Sequence, residues 1–177
     1  QGRAEVGIRL QLANWRRPPP NTAPTASKCS GLYMIGTLAR HAAIAVGCDD
    51  ALLLDNDGLV AETTATNLLL VSDGVLVTPL PTCFLDGITK RHVLGLARQR
   101  GLPVEERAVT LEELRAATEV LTAGTSVELQ PVVALVEDKA KTEWPVGPVT
   151  QQLIADFHAT VTGAKNGIAA RRQNIDA

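Results

Sequence analysis

The 177-residue sequence predicts one α/β domain of the α+β kind, with a strongly curved, mostly antiparallel sheet and about four helices. Two observations predict this fold. Short apolar runs separated by Asp-Gly turns are typical of antiparallel hairpins. Between them, apolar residues recur at helical spacing in segments that start and stop with capping residues. With 45% hydrophobic and 20% charged residues, the chain can bury a core.

The first element is a strand, because Val6, Ile8, Leu10 and Leu12 alternate with polar residues or glycine. The proline-rich "RRPPPNTAPTASK" that follows cannot be helical and favours an extended connection.

From Leu32 the apolar period becomes helical. One stripe contains Leu32, Ile35, Ala39, Ala42, Ala43 and Val46, and Gly47 is a suitable stop. Lys28 is therefore expected just before, or at, the entrance of an amphipathic helix.

Two hairpins are predicted next. "ALLLD" and "LVAE" flank the first Asp-Gly turn, and "NLLLV" and "VLVTP" flank the second. "LDGITKRHVLGLARQRG" then predicts a turn that leads into a helix, with Ile88, Val93, Leu96 and Ala97 on one face and Gly101 as the stop.

The last elements follow the same logic. "PVEERAV" is a predicted strand, and Thr110 with Glu113 forms a capping box for a helix through about Ala117. "EVLTAG", which ends in a small polar stretch, and "PVVALVE" are predicted strands. A final helix begins at Gly147–Pro148 and carries Leu153, Ile154, Phe157 and Val161, and residues 164–177 are expected to form a flexible tail.

Composition argues against several classes of function. The net charge is −2, and no run of Lys and Arg exceeds two residues, so neither a nucleic-acid nor a membrane partner is expected. Three cysteines without a C-x-x-C motif, and three histidines without ligand spacing, predict no disulfide framework and no metal site. A reducing cytoplasm fits this cysteine usage best.

Four stretches at predicted strand ends or helix starts carry groups suited to chemistry: Lys28 with Tyr33, Glu62 after an apolar strand, Gly87–Ile88–Thr89 at a helix start, and Thr125 with Ser126. Each also has an ordinary explanation. Lys28 could be a surface charge and Glu62 a hairpin end, while the stretch 87–89 could be an N-cap and the pair at 125–126 a turn. Together they supply a lysine, a carboxylate, a phenol and two phosphate-binding turns, which pyridoxal 5′-phosphate requires.

The order of these blocks resembles the class IV (fold type IV) pyridoxal-phosphate aminotransferases, most of all the branched-chain amino acid aminotransferases. The similar blocks span about residues 6–163: "NWRRPPPNTAPTASKCSGLY", "DNDGLVAETTATN", "LDGITK", "TSVELQPV" and Gly147–Thr150. One such block is weak support, whereas five in order are specific for the family.

The resemblance implies a role for each candidate. Lys28 would be the Schiff-base lysine and the base that moves the substrate α-proton, and Glu62 would bind the pyridine nitrogen. Tyr33 would hydrogen-bond the cofactor's phenolic oxygen, and Leu85 would pack on the ring. The phosphate would be bound by Gly87, Ile88, Thr89 and Thr125. The Thr125–Ser126 backbone would bind the substrate carboxylate. A lysine in this role is expected to be buried, and Gly31, Leu32 and Met34 would supply an apolar surrounding.

The resemblance also implies a fold and a reaction. Residues 1–163 would be the C-terminal, cofactor-binding domain, built around a pseudo-barrel, and the family's smaller N-terminal domain would be missing from this sequence. The reaction would transfer an amino group between a branched-chain or apolar amino acid and a 2-oxo acid, in a homodimer. Three alternatives stay open: an aminodeoxychorismate lyase, a D-amino acid aminotransferase, and a truncated homologue without catalysis.

The sequence departs from the family pattern at four places. Leu32 replaces Asn, Asp86 replaces Pro, Lys90 replaces Arg, and "ETTAT" replaces a Glu-Gly run. Asp86 would weaken cofactor binding if its side chain turned toward the phosphate.

Overall fold

The computed structural model describes residues 6–163, which contain nine strands and four complete α-helices. The strands are β1 (Ile8–Arg16), β2 (Asp50–Leu54), β3 (Val60–Thr63), β4 (Asn67–Ser72), β5 (Val75–Pro79), β6 (Val104–Arg107), β7 (Glu119–Gly124), β8 (Glu128–Val136) and β9 (Lys141–Glu143). The helices are α1 (Tyr33–Ala45), α2 (Ile88–Gln99), α3 (Leu111–Ala116) and α4 (Pro148–Thr162). The tail expected at 164–177 lies outside the described residues.

Six strands, in the order β3-β2-β1-β8-β7-β4, form a barrel that closes where β4 pairs with β3 through Asn67 and Glu62. Strands β5 and β6 extend the sheet beyond β4, and β9 pairs with β8. Most neighbours are antiparallel, as the sequence predicts, but β1 runs parallel to both β2 and β8, and β6 runs parallel to β5. The predicted curved α/β fold is confirmed.

Both predicted hairpins are present, as β2–β3 and β4–β5. In the second, Asp73 and Gly74 have φ of 50° and 78°, the positive values that a two-residue hairpin turn requires. In the first, the Asp55 carboxylate accepts hydrogen bonds from the N–H groups of Asp57 and Leu59 at 2.9 and 2.8 Å. The turn residues therefore act as the sequence indicates.

Strand β4 shows how the sheet is covered on both faces. Leu68 and Leu70 belong to a cluster inside the barrel, together with Leu10 and Leu52. Their neighbours Leu69 and Val71 belong to a second cluster outside it, under helices α2 and α4. A strand buried on both faces has a continuous apolar run, which explains the "NLLLV" segment.

Helix α1 packs on β1 and β2 through small residues. Gly36, Ala39 and Ala43 are buried, and a β-carbon at Gly36 would lie 2.7 Å from the carbonyl oxygen of Thr64. The helix therefore lies close to the β3–β4 turn. The opposite side exposes Met34, Leu38 and Ile44, so the large apolar residues of α1 are not confined to its buried face, as they usually are in a globular protein.

Four side chains predicted to share buried helix faces are exposed, Ala42 in α1 among them, which corrects those assignments. Ile88 is 77% exposed because it begins α2 at the rim of a cavity, and Val46 is 54% exposed because it follows the end of α1. Val161, in the last turn of α4, is 52% exposed. Strand β9 was not predicted, since its three residues carry no apolar alternation.

Carboxylate and hydroxyl groups cap two helices. Thr110 accepts a hydrogen bond from the Glu113 N–H at 3.1 Å, which confirms the predicted capping box at α3. The buried Glu119 accepts from the N–H groups of Val149 and Thr150 at the start of α4. None of the helices within residues 6–163 has the length and apolar content needed to cross a bilayer.

Candidate active site

A cavity of about 590 Å³ opens at one end of the barrel. Four segments line it: the loop from Ala26 into α1, the β3–β4 turn, the stretch Leu85–Thr89 that leads into α2, and the β7–β8 turn. These segments are far apart in sequence, and barrel closure between Glu62 and Asn67 brings them together. The cavity is therefore a product of the sheet topology.

All nine candidate residues line this cavity: Lys28, Tyr33, Glu62, Leu85, Gly87, Ile88, Thr89, Thr125 and Ser126. Lys28 and Glu62, which belong to different segments, thus line one space. That arrangement is the geometric requirement for both to act on one ring-sized molecule. The individual roles stay predictions.

The surroundings of Lys28 differ from the expectation. The lysine lies just before the helix entrance, as predicted, but its side chain is exposed rather than buried. Met34, expected to help bury it, is 65% exposed, and Gly31 is exposed as well. The reason is local: tight turns that include the Cys29 N–H to Ser27 carbonyl bond at 2.8 Å place Lys28 on the cavity rim.

Glu62, in contrast, is largely buried, with 12% of its side chain exposed. Burial raises the pKa of this carboxyl from 4.5 to about 7, while the nearby positive charge of Arg17 opposes that shift. Arg17 Nε lies 3.3 Å from Glu62 Oε1 and donates to the Cys83 carbonyl oxygen at 3.2 Å. Glu62 is thus a buried carboxyl with a fixed cationic neighbour.

Sequence reasoning assigned no role to Arg17. A charged residue at the end of an apolar strand, directly before prolines, was an available signal. Arg17 is buried, with 7% exposed, because it contacts the loop at Cys83 and Glu62 in β3, and the local sequence does not predict these long-range contacts.

Asn67 was also missed as a site residue. Its amide nitrogen donates to the Leu85 carbonyl oxygen at 2.9 Å, and its amide oxygen accepts from the Gly87 N–H at 3.1 Å. One side chain therefore holds the backbone on both sides of Asp86. Gly87 is required for this approach, since a β-carbon there would lie 2.2 Å from Asn67 Oδ1.

The start of α2 is suited to an anion. The first N–H groups of any helix lack intrahelical partners and carry a partial positive charge. Within the described chain, the N-cap Gly87 offers no side-chain hydrogen bond, and the first turn of α2 contains no acidic residue. Ile88 and Thr89 therefore present backbone groups to the cavity with no side chain competing for them.

Asp86 does not compete for this position, because its Oδ1 lies 2.8 Å from Lys90 Nζ. In the conformation observed, its carboxylate pairs with that lysine, and its effect on cofactor binding stays a prediction.

The β7–β8 turn forms the opposite wall. Thr125 and Ser126 are exposed there and face the cavity. Gly124 lies so close to the β3–β4 turn that a β-carbon would be 2.6 Å from Thr66 Cγ2. Thr66 in turn shares a 2.6 Å hydroxyl hydrogen bond with Thr63, so the two turns form a continuous wall.

Comparison with known proteins gives consistent results. The family model described as amino-transferase class IV matches residues 2–135. A probable branched-chain-amino-acid aminotransferase of Rickettsia conorii is 38% identical over 128 residues, covering 72% of this chain and 44% of that protein. The branched-chain-amino-acid aminotransferase of Escherichia coli K12 is 36% identical over 160 residues, covering 90% and 52%.

Solved structures of branched-chain aminotransferases are also similar to this chain. The branched-chain aminotransferase of Thermoproteus uzoniensis, solved with norvaline, superposes with a TM-score of 0.85 at 32% identity, covering 93% of this chain and 54% of that one. The branched-chain amino acid aminotransferase of Thermobaculum terrenum, solved in its PLP form, gives 0.84 at 32% identity and covers 93% and 55%. The chain thus spans about half the length of its relatives. It belongs to the class IV aminotransferases, a family whose cofactor is pyridoxal 5′-phosphate.

Proposed function

We propose that this chain is the cofactor-binding domain, residues 1–163, of an enzyme that transfers an amino group between a branched-chain or other apolar amino acid and a 2-oxo acid. The observation that carries the proposal is the convergence of Lys28, the buried Glu62 and the start of α2 on one cavity. The names of the relatives supply the substrate class. The domain expected before this one in the family is part of the proposal.

The residues present fit pyridoxal 5′-phosphate. A cavity of about 590 Å³ lies in the range that small-molecule sites occupy. It offers an amine, a buried carboxylate and an anion-binding helix start, which match the aldehyde, the ring nitrogen and the phosphate respectively. The Asn67–Gly87 hydrogen bond keeps the start of α2 close to the carboxylate of Glu62.

When bound, the cofactor supplies an electron sink that makes the substrate α-proton removable. Lys28 would hold the cofactor through Nζ, and the same amine would take and return the substrate α-proton. An amine on the cavity rim reaches both the cofactor and an incoming amino acid. The exposed position of Lys28 is compatible with this double use.

Glu62 holds the ring nitrogen in its protonated form through a charged hydrogen bond. This requires an ionised carboxylate, which burial alone disfavours. Arg17, 3.3 Å away and itself fixed to the Cys83 carbonyl oxygen, favours the ionised form. In the proposed function Arg17 is therefore a positioning residue for Glu62.

The remaining residues hold the cofactor and the substrate. Ile88 and Thr89 bind the phosphate with backbone and hydroxyl groups at the start of α2, and Thr125 binds it from the opposite wall. Tyr33 donates to the phenolic oxygen, and Leu85 packs on the ring. The Thr125–Ser126 backbone receives the substrate carboxylate, and Leu32, Ala65 and Ala123 provide apolar surface for the side chain.

The proposal is tested by trapping the cofactor. The complete protein, incubated with pyridoxal 5′-phosphate and reduced with borohydride, is expected to carry the label on the peptide that contains Lys28. Peptide mass spectrometry locates it, and Lys139, an exposed lysine outside the cavity, serves as the internal control. A label on other lysines, or none, would remove the basis of the proposed function.

A panel of amino donors separates the alternatives. Activity with branched-chain L-amino acids and 2-oxoglutarate supports the proposal, whereas activity only with D-amino acids or with aminodeoxychorismate identifies the other family reactions. Relatives bound to 4-methylvaleric acid and to norvaline favour the first result. Binding of the cofactor without any turnover would indicate a homologue without catalysis.

The close approach at Gly87 leads to a further prediction. Gly87→Ala is expected to weaken pyridoxal 5′-phosphate binding by about tenfold, because the added carbon displaces Asn67 and moves the start of α2. Titration of cofactor fluorescence measures the affinity. Gly95→Ala, in the same helix with nothing within 4 Å, is the matched control and should leave affinity unchanged. Equal effects of the two substitutions would contradict this account.

Assembly and compartment belong to the same proposal. We place the enzyme in the cytoplasm as a homodimer. All three cysteines are free thiols, which suits a reducing compartment. The exposed apolar side chains of α1 (Met34, Leu38 and Ile44) suit burial against further protein. Sedimentation of the complete protein tests the dimer.

A further inference from the structure

A cluster of charges lies behind the start of α2. Lys90 is fully buried, and its Nζ lies 2.8 Å from Asp86 Oδ1 and 2.9 Å from Glu106 Oε2. A buried ammonium group is tolerated only when it is paired in this way. Asp86 also lines the cavity, so the cluster connects the interior of the fold to the candidate active site.

The backbone at Asp86 has little freedom. Asn67 binds the Leu85 carbonyl oxygen on one side of it and the Gly87 N–H on the other. With both neighbours held by one side chain, only rotation of the Asp86 side chain can move its carboxylate. The position of this carboxylate and its net charge effect at the cavity therefore depend on the cation that it faces.

Lys90 is the main cation available to Asp86 among the described residues. Arg91 approaches Asp86 Oδ2 at 3.7 Å, but its own side chain is 60% exposed, which weakens the pair. Glu106 has a second partner in Arg98 at 4.0 Å. Loss of Lys90 would therefore leave Asp86, next to the anion-binding end of the cavity, with one weak and solvent-exposed partner.

We propose that Lys90 is a positioning residue that holds the Asp86 carboxylate away from the start of α2 and offsets its charge, so that this end of the cavity accepts a phosphate group. The inference rests on the proposed function, because the phosphate is that of the cofactor. Lys90 does not line the cavity and acts through Asp86. A negative charge released beside a dianionic phosphate would oppose its binding.

The test compares two ligands that differ only in the phosphate. Affinities for pyridoxal 5′-phosphate and for pyridoxal are measured by calorimetry at low ionic strength, with the complete protein freed of cofactor. Lys90→Gln is expected to weaken binding of the phosphorylated ligand by about tenfold, since the Asp86 carboxylate, no longer held by Lys90, can turn toward a dianion. Pyridoxal affinity should change less than about twofold, because it carries no phosphate charge.

A second substitution identifies Asp86 as the intermediary. Asp86→Asn introduced into Lys90→Gln is expected to restore the ratio of the two affinities, although Lys90 is still missing. Lys139→Gln removes an exposed lysine outside the cavity and is the charge-matched control. A merely structural role for Lys90 would weaken both ligands together and would not be reversed at Asp86.

Several outcomes would overturn the inference: an unchanged ratio in Lys90→Gln, equal weakening of both ligands, or no restoration by Asp86→Asn. If Lys90→Gln does not fold, Asp86→Asn alone decides. Since Lys90 already holds this carboxylate away from the phosphate, the ratio should stay within about twofold, and a larger gain would contradict the proposal. If the unsubstituted protein shows no preference for the phosphorylated ligand, the proposed function itself fails.

Discussion

Lys28→Ala is expected to abolish transamination by the complete protein, with a loss of at least about 10³-fold in kcat. Among the described side chains that line the cavity, Lys28 supplies the only primary amine. No neighbour can therefore replace it as the covalent attachment point or as the acceptor of the α-proton. Steady-state kinetics with a branched-chain donor and 2-oxoglutarate measure the loss.

Two controls make this result specific. Lys139→Ala removes an exposed lysine outside the cavity and should leave kcat unchanged. Added methylamine should restore part of the activity of Lys28→Ala, because a small amine can enter the space left by the side chain and accept the proton. Full activity of the variant without added amine would refute the role of Lys28.

Glu62→Gln is expected to slow α-proton removal by about 10²- to 10³-fold while changing cofactor affinity much less. Glutamine preserves the shape of the side chain but cannot stabilise a positive charge on the ring nitrogen. The cofactor ring would then be a weaker electron sink during removal of the α-proton. Single-turnover rates with α-deuterated substrate isolate that step, and a cofactor titration measures affinity.

The same variant has a second measurement that does not depend on turnover. In the folded protein the pKa of Glu62 is raised from 4.5 to about 7, mainly by burial, so the folded state binds more protons than the unfolded state between these values. The stability that protonation contributes is fully present below pH 4.5 and is lost as the pH rises through 7. In Glu62→Gln the side chain at position 62 has no ionisable group, so it contributes no such change in stability between pH 4.5 and 7.

Relative to the unsubstituted protein, Glu62→Gln should therefore gain about 3 kcal/mol of unfolding free energy between pH 4.5 and pH 8. The Arg17 ion pair is already contained in the pKa of about 7, so only the difference between protonated glutamate and glutamine adds an offset that does not depend on pH. Urea unfolding of the cofactor-free proteins at both pH values gives the difference. A pH-independent difference would show that Glu62 is not buried as a titrating group, and equal proton-removal rates would refute its role at the ring nitrogen.

The candidate site illustrates how far local patterns reach. Each of its four segments could be located because each combines an element boundary with a chemically useful group, such as Glu62 at the end of β3 and Thr89 in the first turn of α2. Order along the chain then indicated one cofactor. The exposure of Lys28 could not be predicted in this way, because it depends on how the loop sits on the finished barrel.

Arg17 and Asn67 mark the limit of that reasoning. Each makes contacts with residues between 18 and 66 positions away, namely Cys83 for Arg17 and both Leu85 and Gly87 for Asn67. The local sequence predicts neither set of contacts, although Arg17 stands at a strand end directly before prolines. Lys90 is similar, since its partner Glu106 lies in another element, β6, and the pair forms only in the folded structure.

By itself, the sequence determined every strand except β9, the helices, the hairpin turns and the residues with groups suited to chemistry, because periodicity, capping and turn chemistry act within a few residues. Only the tertiary structure decided that β1 lies between β2 and β8, parallel to both, and that Glu62 pairs with Asn67 to close the barrel. Those pairings are long-range, and burial, charge pairing and cavity shape arise only once they form. The pKa of Glu62 and the pairing of Lys90 therefore belong to the fold rather than to any segment of the chain.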